Sequence, residues 1–104
     1  MNIMIIGCGR TGSAIAEALV HRGHGVTVVD REPTSFERLG PHFRGATMAG
    51  EGLDREVLLA AGIERADGLA AVTASDEVNV VAGRLARQVF RVPKVVARLY
   101  DPRK

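Results

Sequence analysis

The segment Gly7-Cys8-Gly9-Arg10-Thr11-Gly12 spaces three glycines as G-x-G-x-x-G, and the chemistry of that spacing is the holding of phosphate. Gly7 permits a tight turn out of a strand, Gly9 lets the main chain approach an anion, and Gly12 lets the next helix pack closely. Unpaired N–H groups at the helix start, with the positive end of its dipole, then attract the anion. Gly7, Gly9, Arg10, Thr11 and Gly12 are therefore the candidate phosphate-binding residues. With twelve glycines in the chain the pattern alone is weak. Its context is stronger: an apolar run precedes it, a helical pattern follows, and Asp30 stands eighteen residues past Gly12 at the tip of a second strand. A carboxylate there would accept hydrogen bonds from both ribose hydroxyls and repel a 2′-phosphate, favouring NAD or an adenosine nucleotide over NADP. Arg31 points the other way, because an adjacent arginine can serve a 2′-phosphate. Arg10 would set a guanidinium where the helix dipole disfavours a cation, which makes better sense with an anion to receive it than as a solvent-facing side chain.

The remaining reactive side chains are less informative. Thr73, Ser75, Asp76 and Asn79 lie at the end of a fourth apolar run, the edge where open α/β sheets bind ligands. Asp76 is expected to cap the helix that follows, and Thr73 is balanced between capping and ligand contact. Cys8 is the chain's single cysteine, which excludes an internal disulfide and fits a reducing compartment. It is read as a small space-filling residue rather than a reactive thiol. His21, His24 and His42 lack metal-ligand spacing, so no metal site is expected.

Positioning these residues requires alternating strands and helices. Asn2 to Gly7 reads as a buried strand, and Ala14, Ile15, Ala18 and Leu19 recur at helical spacing until Gly23. Val26 to Asp30 is a second strand, Pro33 to Leu39 a short helix, and Gly45 to Met48 a weaker third strand. Asp54 caps a helix through Ala61 with Gly62 just past its end, and Gly68 to Val72 is a fourth strand. Asp76 opens the longest helix, with Val78, Val81, Leu85 and Val89 on its inner face, and Lys94 to Arg98 is a fifth strand. Such alternation implies parallel pairing through right-handed crossovers. The expected fold is α/β: a Rossmann-like parallel sheet with helices on both faces, lacking the last strand. Residues 1–104 form one domain, expected to be a fragment of a longer protein.

Charge and composition narrow the function classes. A net charge of +2 implies no global attraction to nucleic acid or membrane, and no apolar run approaches the roughly 20 residues of a spanning helix. Seven of the fourteen basic residues lie in 84–104 against the single acid Asp101. Arg84, Arg87 and Arg91 fall on the outer side of the long helix, read as a solvated face in preference to a docking surface. Phe90 is the single aromatic among them, short of the interleaved stacking surface that single-stranded nucleic acid needs, which disfavours nucleic acid.

Beyond the glycine turn, Val29-Asp30-Arg31, Ala60-Ala61-Gly62-Ile63-Glu64-Arg65-Ala66-Asp67, Val72-Thr73-Ala74-Ser75-Asp76-Glu77-Val78-Asn79 and Val96-Ala97-Arg98 are in register with one family. The chain resembles, over nearly its whole length, the N-terminal RCK (TrkA-N) domain of Trk/Ktr-type potassium uptake regulatory proteins. The resemblance implies a regulatory module, not an enzyme, that binds ATP, ADP or NAD(H). It implies a homo-dimer or higher homo-oligomer, cytoplasmic and peripheral to the inner face of the membrane, under a membrane potassium translocator. Carried over by position, Arg10 would reach the distal phosphates and Asp30 the ribose, Thr73 and Ser75 would line the cleft, and Arg98 would face the phosphates. The family usually shows Gly-Asp after the third strand, with its carboxylate near the adenine. Here the pair is Gly50-Glu51, one methylene longer, which leaves the preference among adenine nucleotides open. The alternative from another class is the cofactor-binding half of an NAD-dependent oxidoreductase, which the glycine turn and Asp30 fit equally well, although no candidate acid–base residue accompanies them.

Overall fold

The computed structural model describes residues 1–101. Five parallel strands, β1 (Asn2–Ile6), β2 (Gly25–Asp30), β3 (Ala46–Ala49), β4 (Gly68–Ala71) and β5 (Lys94–Ala97), form one sheet in the order β3-β2-β1-β4-β5. The helices are α1 (Arg10–His21), α2 (Arg55–Ala60) and α3 (Asp76–Arg84). All five expected strands are present with ends shifted by a residue or two. Short 3-10 turns cover Pro33–Arg38 and Ile63–Arg65, the second of which no sequence pattern predicts.

The order of the strands creates the site. The chain leaves β1 for β2 and β3 on one side, then returns to place β4 and β5 on the other. β1 and β4 therefore pair side by side while the connections at their carboxyl ends diverge, which opens the crevice where such sheets bind ligands. Ile5, Val26 and Val28 pack with Ala16 of α1 on one face. Met4, Ile6, Val29 and Leu69 pack with Leu58 of α2, Ala82 of α3 and Ala86 just past it on the other. The central strands are apolar on both faces because both are covered.

Both long helices sit rotated from their expected faces. In α1 the buried residues are Gly12, Ser13 and Ala16, with Ile15 and Leu19 half-buried, while Ala14 and Ala18 are exposed. In α3 the sheet-facing residues are Asn79, Ala82, Gly83 and, one turn on, Ala86, whereas Val81 and Val89 are exposed. The reason is close approach. A Cβ on Gly83 would stand 3.5 Å from Ala97 Cβ and Val95 Cγ1, so the helix presents small residues to β5 and leaves its larger valines at the flanks. A widened π turn over Leu85–Val89 then carries the chain to Arg91, whose φ of 55° reverses it into β5. Arg84, Arg87 and Arg91 are exposed. No helix among the described residues is long and apolar enough to cross a membrane.

Candidate nucleotide-binding site

The turn from β1 into α1 is built almost entirely from main chain. Gly7 N–H donates to the Val29 carbonyl (2.7 Å) and Cys8 N–H to Asp30 Oδ2 (2.7 Å). Gly7 has a φ of 107°, and a Cβ there would stand 2.9 Å from Thr73 N, so glycine is required both by conformation and by the main chain just past β4. A Cβ on Gly12 would collide with the Gly7 carbonyl oxygen, which fixes how tightly α1 folds back on the turn. Gly9 differs. Its φ of −84° suits any residue, and a Cβ on it would meet nothing within 4 Å. The fold itself does not require glycine at position 9.

The first intrahelical bond of α1 runs from Ser13 N–H to the Gly9 carbonyl (2.9 Å), so the N–H groups of Arg10, Thr11 and Gly12 have no helical acceptor. The first turn holds no acidic residue to answer them. Gly7, a candidate phosphate-binding residue, and Cys8 spend their N–H groups on β2 and offer none to a ligand. What remains toward the crevice is a shorter run that begins at Gly9.

Asp30, at the end of β2, is doubly engaged. One oxygen takes the Cys8 N–H and the other the Glu32 N–H (2.8 Å). Each carboxylate oxygen has capacity for a further donor, so this geometry orients Asp30 without exhausting it. Cys8 is fully buried, and burial, reinforced by the Asp30 carboxylate, pushes its thiol pKa up. That suits a space-filling residue and is the reverse of an activated thiol.

The opposite wall is held by side chains. Asn79, with no exposed surface, accepts from both the N–H (2.8 Å) and the hydroxyl (2.7 Å) of Thr73, and donates to the carbonyls of Thr73 (3.0 Å) and Arg98 (2.9 Å). Ser75, not Asp76, caps α3, its hydroxyl accepting from Val78 N–H (3.2 Å). Asp76 is buried and turns instead to the main chain beyond β5, accepting from Tyr100 N–H (2.7 Å) and Asp101 N–H (2.9 Å). Arg98 reaches across the crevice. Its Nη1 donates to Thr11 Oγ1 (2.6 Å) and its Nη2 to the carbonyls of Val72 and Thr73 (3.1 and 3.2 Å). Its Nε is buried without a hydrogen-bond partner among the described residues.

These walls enclose a cleft of about 570 Å³. Gly7, Gly9, Arg10 and Thr11 line its centre, Asp30, Arg31 and Glu51 one end, and Thr73, Ser75 and Arg98 the other. Gly12, the remaining candidate, lies beneath the lining as a packing residue. Ser35, Gly52, Val78 and Tyr100 also line the cleft, a role that sequence reasoning missed. Tyr100 carries a signal that could have found it, as an aromatic two places after Arg98 in a segment with no other. Among the described residues no cluster of three or more His, Cys, Asp or Glu could hold a metal ion.

A family model described as the TrkA-N domain matches residues 3–104. Over its full length the chain is 53% identical to a Streptomyces coelicolor protein, "Trk system potassium uptake protein TrkA", and spans about half of that relative (47%). Among solved structures, the AMP-bound Kef CTD of Shewanella denitrificans superposes with a TM-score of 0.84 at 23% identity, covering 99% of this chain and 62% of that one. The GsuK RCK domain gives a TM-score of 0.74 at 27% identity, covering 91% of this chain and 20% of that one.

Proposed function

The chain belongs to the TrkA-N domain family, and from that premise we propose that it is the nucleotide-binding regulatory domain of a potassium uptake system. In this reading the cleft takes an adenine nucleotide, ATP/ADP or NAD(H). The occupied domain acts on a membrane potassium translocator as a homo-dimer or higher homo-oligomer at the inner face of the membrane. The observation that carries it is Gly9: a glycine with open space over it, in an unstrained conformation, at the mouth of a helix with unanswered N–H groups. Its missing side chain serves something that is not the protein's own packing. The AMP bound by the Shewanella Kef domain and the potassium-uptake name of the Streptomyces relative point the same way.

The residues divide the work by charge. The N–H groups of Arg10 and Thr11 and the dipole of α1 would receive the phosphates, with Arg98 forking onto them from the far wall. Asp30 would hold the ribose hydroxyls and exclude a 2′-phosphate, although Arg31 stands beside it. Glu51 and Arg31 would border the base. What a nucleotide supplies here is negative charge of variable extent, and no bond in it need be broken. The hydroxyls of Thr73 and Ser75 both hydrogen-bond within the β4–α3 turn and so shape this edge of the cleft.

Regulation requires that two ligands favour two states unequally. Arg10 lines the cleft, and a terminal phosphate present in ATP and absent in ADP would engage its guanidinium. A thermal-shift panel of ATP, ADP, NAD, NADH and NADP tests the binding. A ligand at about 100 times its dissociation constant adds roughly 2.7 kcal/mol of stability. Calorimetry is expected to find different affinities for ATP and ADP, with the gap narrowed in Arg10→Ala. Equal affinities before and after the substitution would remove Arg10 from the mechanism.

A further inference from the structure

We propose that Tyr100 and Asp76 are positioning residues of this cleft, setting where the Arg98 guanidinium meets the phosphates; this rests on the reading of the cleft as a nucleotide site. Arg98 extends the pairing of β5 with β4, its N–H donating to the Ala71 carbonyl (2.9 Å). In an extended chain the side chains of residues 98 and 100 fall on the same side. The Tyr100 ring accordingly backs the guanidinium, with Arg98 Cζ 4.5 Å from the ring centroid. Tyr100 is 62% exposed, so the hydrophobic core does not hold it. What fixes it is main chain: its own N–H and that of Asp101 both end on the Asp76 carboxylate.

The consequence is a relay of contacts with one outcome. Asp76 sits in the first turn of α3, where a carboxylate is favoured by the dipole, yet it accepts two hydrogen bonds from the segment after β5. That segment carries the ring. The ring covers one face of a planar cation and leaves its N–H edge to point at Thr11, at the anion-binding end of α1. An arginine free to rotate loses more entropy when it grips an anion than one already held flat. Stacking on an aromatic face at an exposed site is worth a factor of about three to five in binding.

The test is titration of the chain with ADP by calorimetry, with the unfolding temperature of each variant measured alongside. Tyr100→Leu is expected to weaken ADP about three- to fivefold without lowering the unfolding temperature, and Tyr100→Phe, which keeps the ring, to restore it. Asp76→Asn, which sets an amide N–H against one of the two main-chain donors, weakens ADP in the same direction. In an Arg98→Lys background, which removes the planar fork, Tyr100→Leu has no further effect. Unchanged ADP affinity in Tyr100→Leu overturns the proposal. So does a loss that Phe does not restore, or one that persists undiminished in the Arg98→Lys background. If the unsubstituted chain binds no ADP, ATP or NAD at all, the reading of the cleft fails and this proposal falls with it.

Discussion

The two walls of the cleft reach the same space by opposite means. The wall from β1 to α1 is main chain: three glycines, a helix start, and N–H groups aimed by backbone geometry. The wall from β4 to β5 is side chain: Asn79 stitching Thr73 to Arg98, Ser75 capping, Asp76 pinning the segment that bears Tyr100. Main chain can present donors with almost no conformational freedom to lose. Side chains must be held by their contacts, and Arg98 is held by Thr11, by the Val72 and Thr73 carbonyls and by the Tyr100 ring behind it.

The largest expected effect falls on the rigid wall. Gly12→Ala drives a methyl into the Gly7 carbonyl and should cost about 3 kcal/mol of stability by chemical denaturation. A variant as stable as the parent would show that the turn can open, and the distinction between walls would weaken. Next comes Asn79→Ala, which strands the Thr73 N–H and two carbonyls in a buried setting, at about 2–3 kcal/mol. Ser75→Ala removes only a cap and should cost about 1 kcal/mol. The smallest effect concerns pH. The native state holds the Cys8 proton above its ordinary value near 9.0, while the unfolded chain gives it up there. Stability is therefore whole below about pH 9 and declines as the pH climbs past it, and Cys8→Ala should lack that alkaline slope.

The same division decides what is legible in the sequence. A main-chain site needs particular glycines at particular spacings, so Gly7 to Gly12 and Asp30 announce it, and the resemblance to the TrkA-N family agrees. Side-chain walls carry no such spacing. Asp76 reads as a cap because it opens a helix, and only the path of residues 99–101 shows that Ser75 takes the cap and leaves Asp76 for Tyr100. The inner face of α3 misleads for a related reason. Valines at helical spacing imply burial, but the proximity of Ala97 and Val95 to Gly83 demands the small residues one position over. Both departures come from contacts made far along the chain.

Gly9→Ala separates a ligand's demand from the fold's most directly, because no described residue other than its chain neighbours lies within 4 Å of the added methyl. Calorimetric titration of this variant with ADP, beside its unfolding curve, should give stability within about 1 kcal/mol of the parent and affinity lowered at least about tenfold. Undiminished affinity in a variant of unchanged stability would contradict the placement of phosphate at this turn.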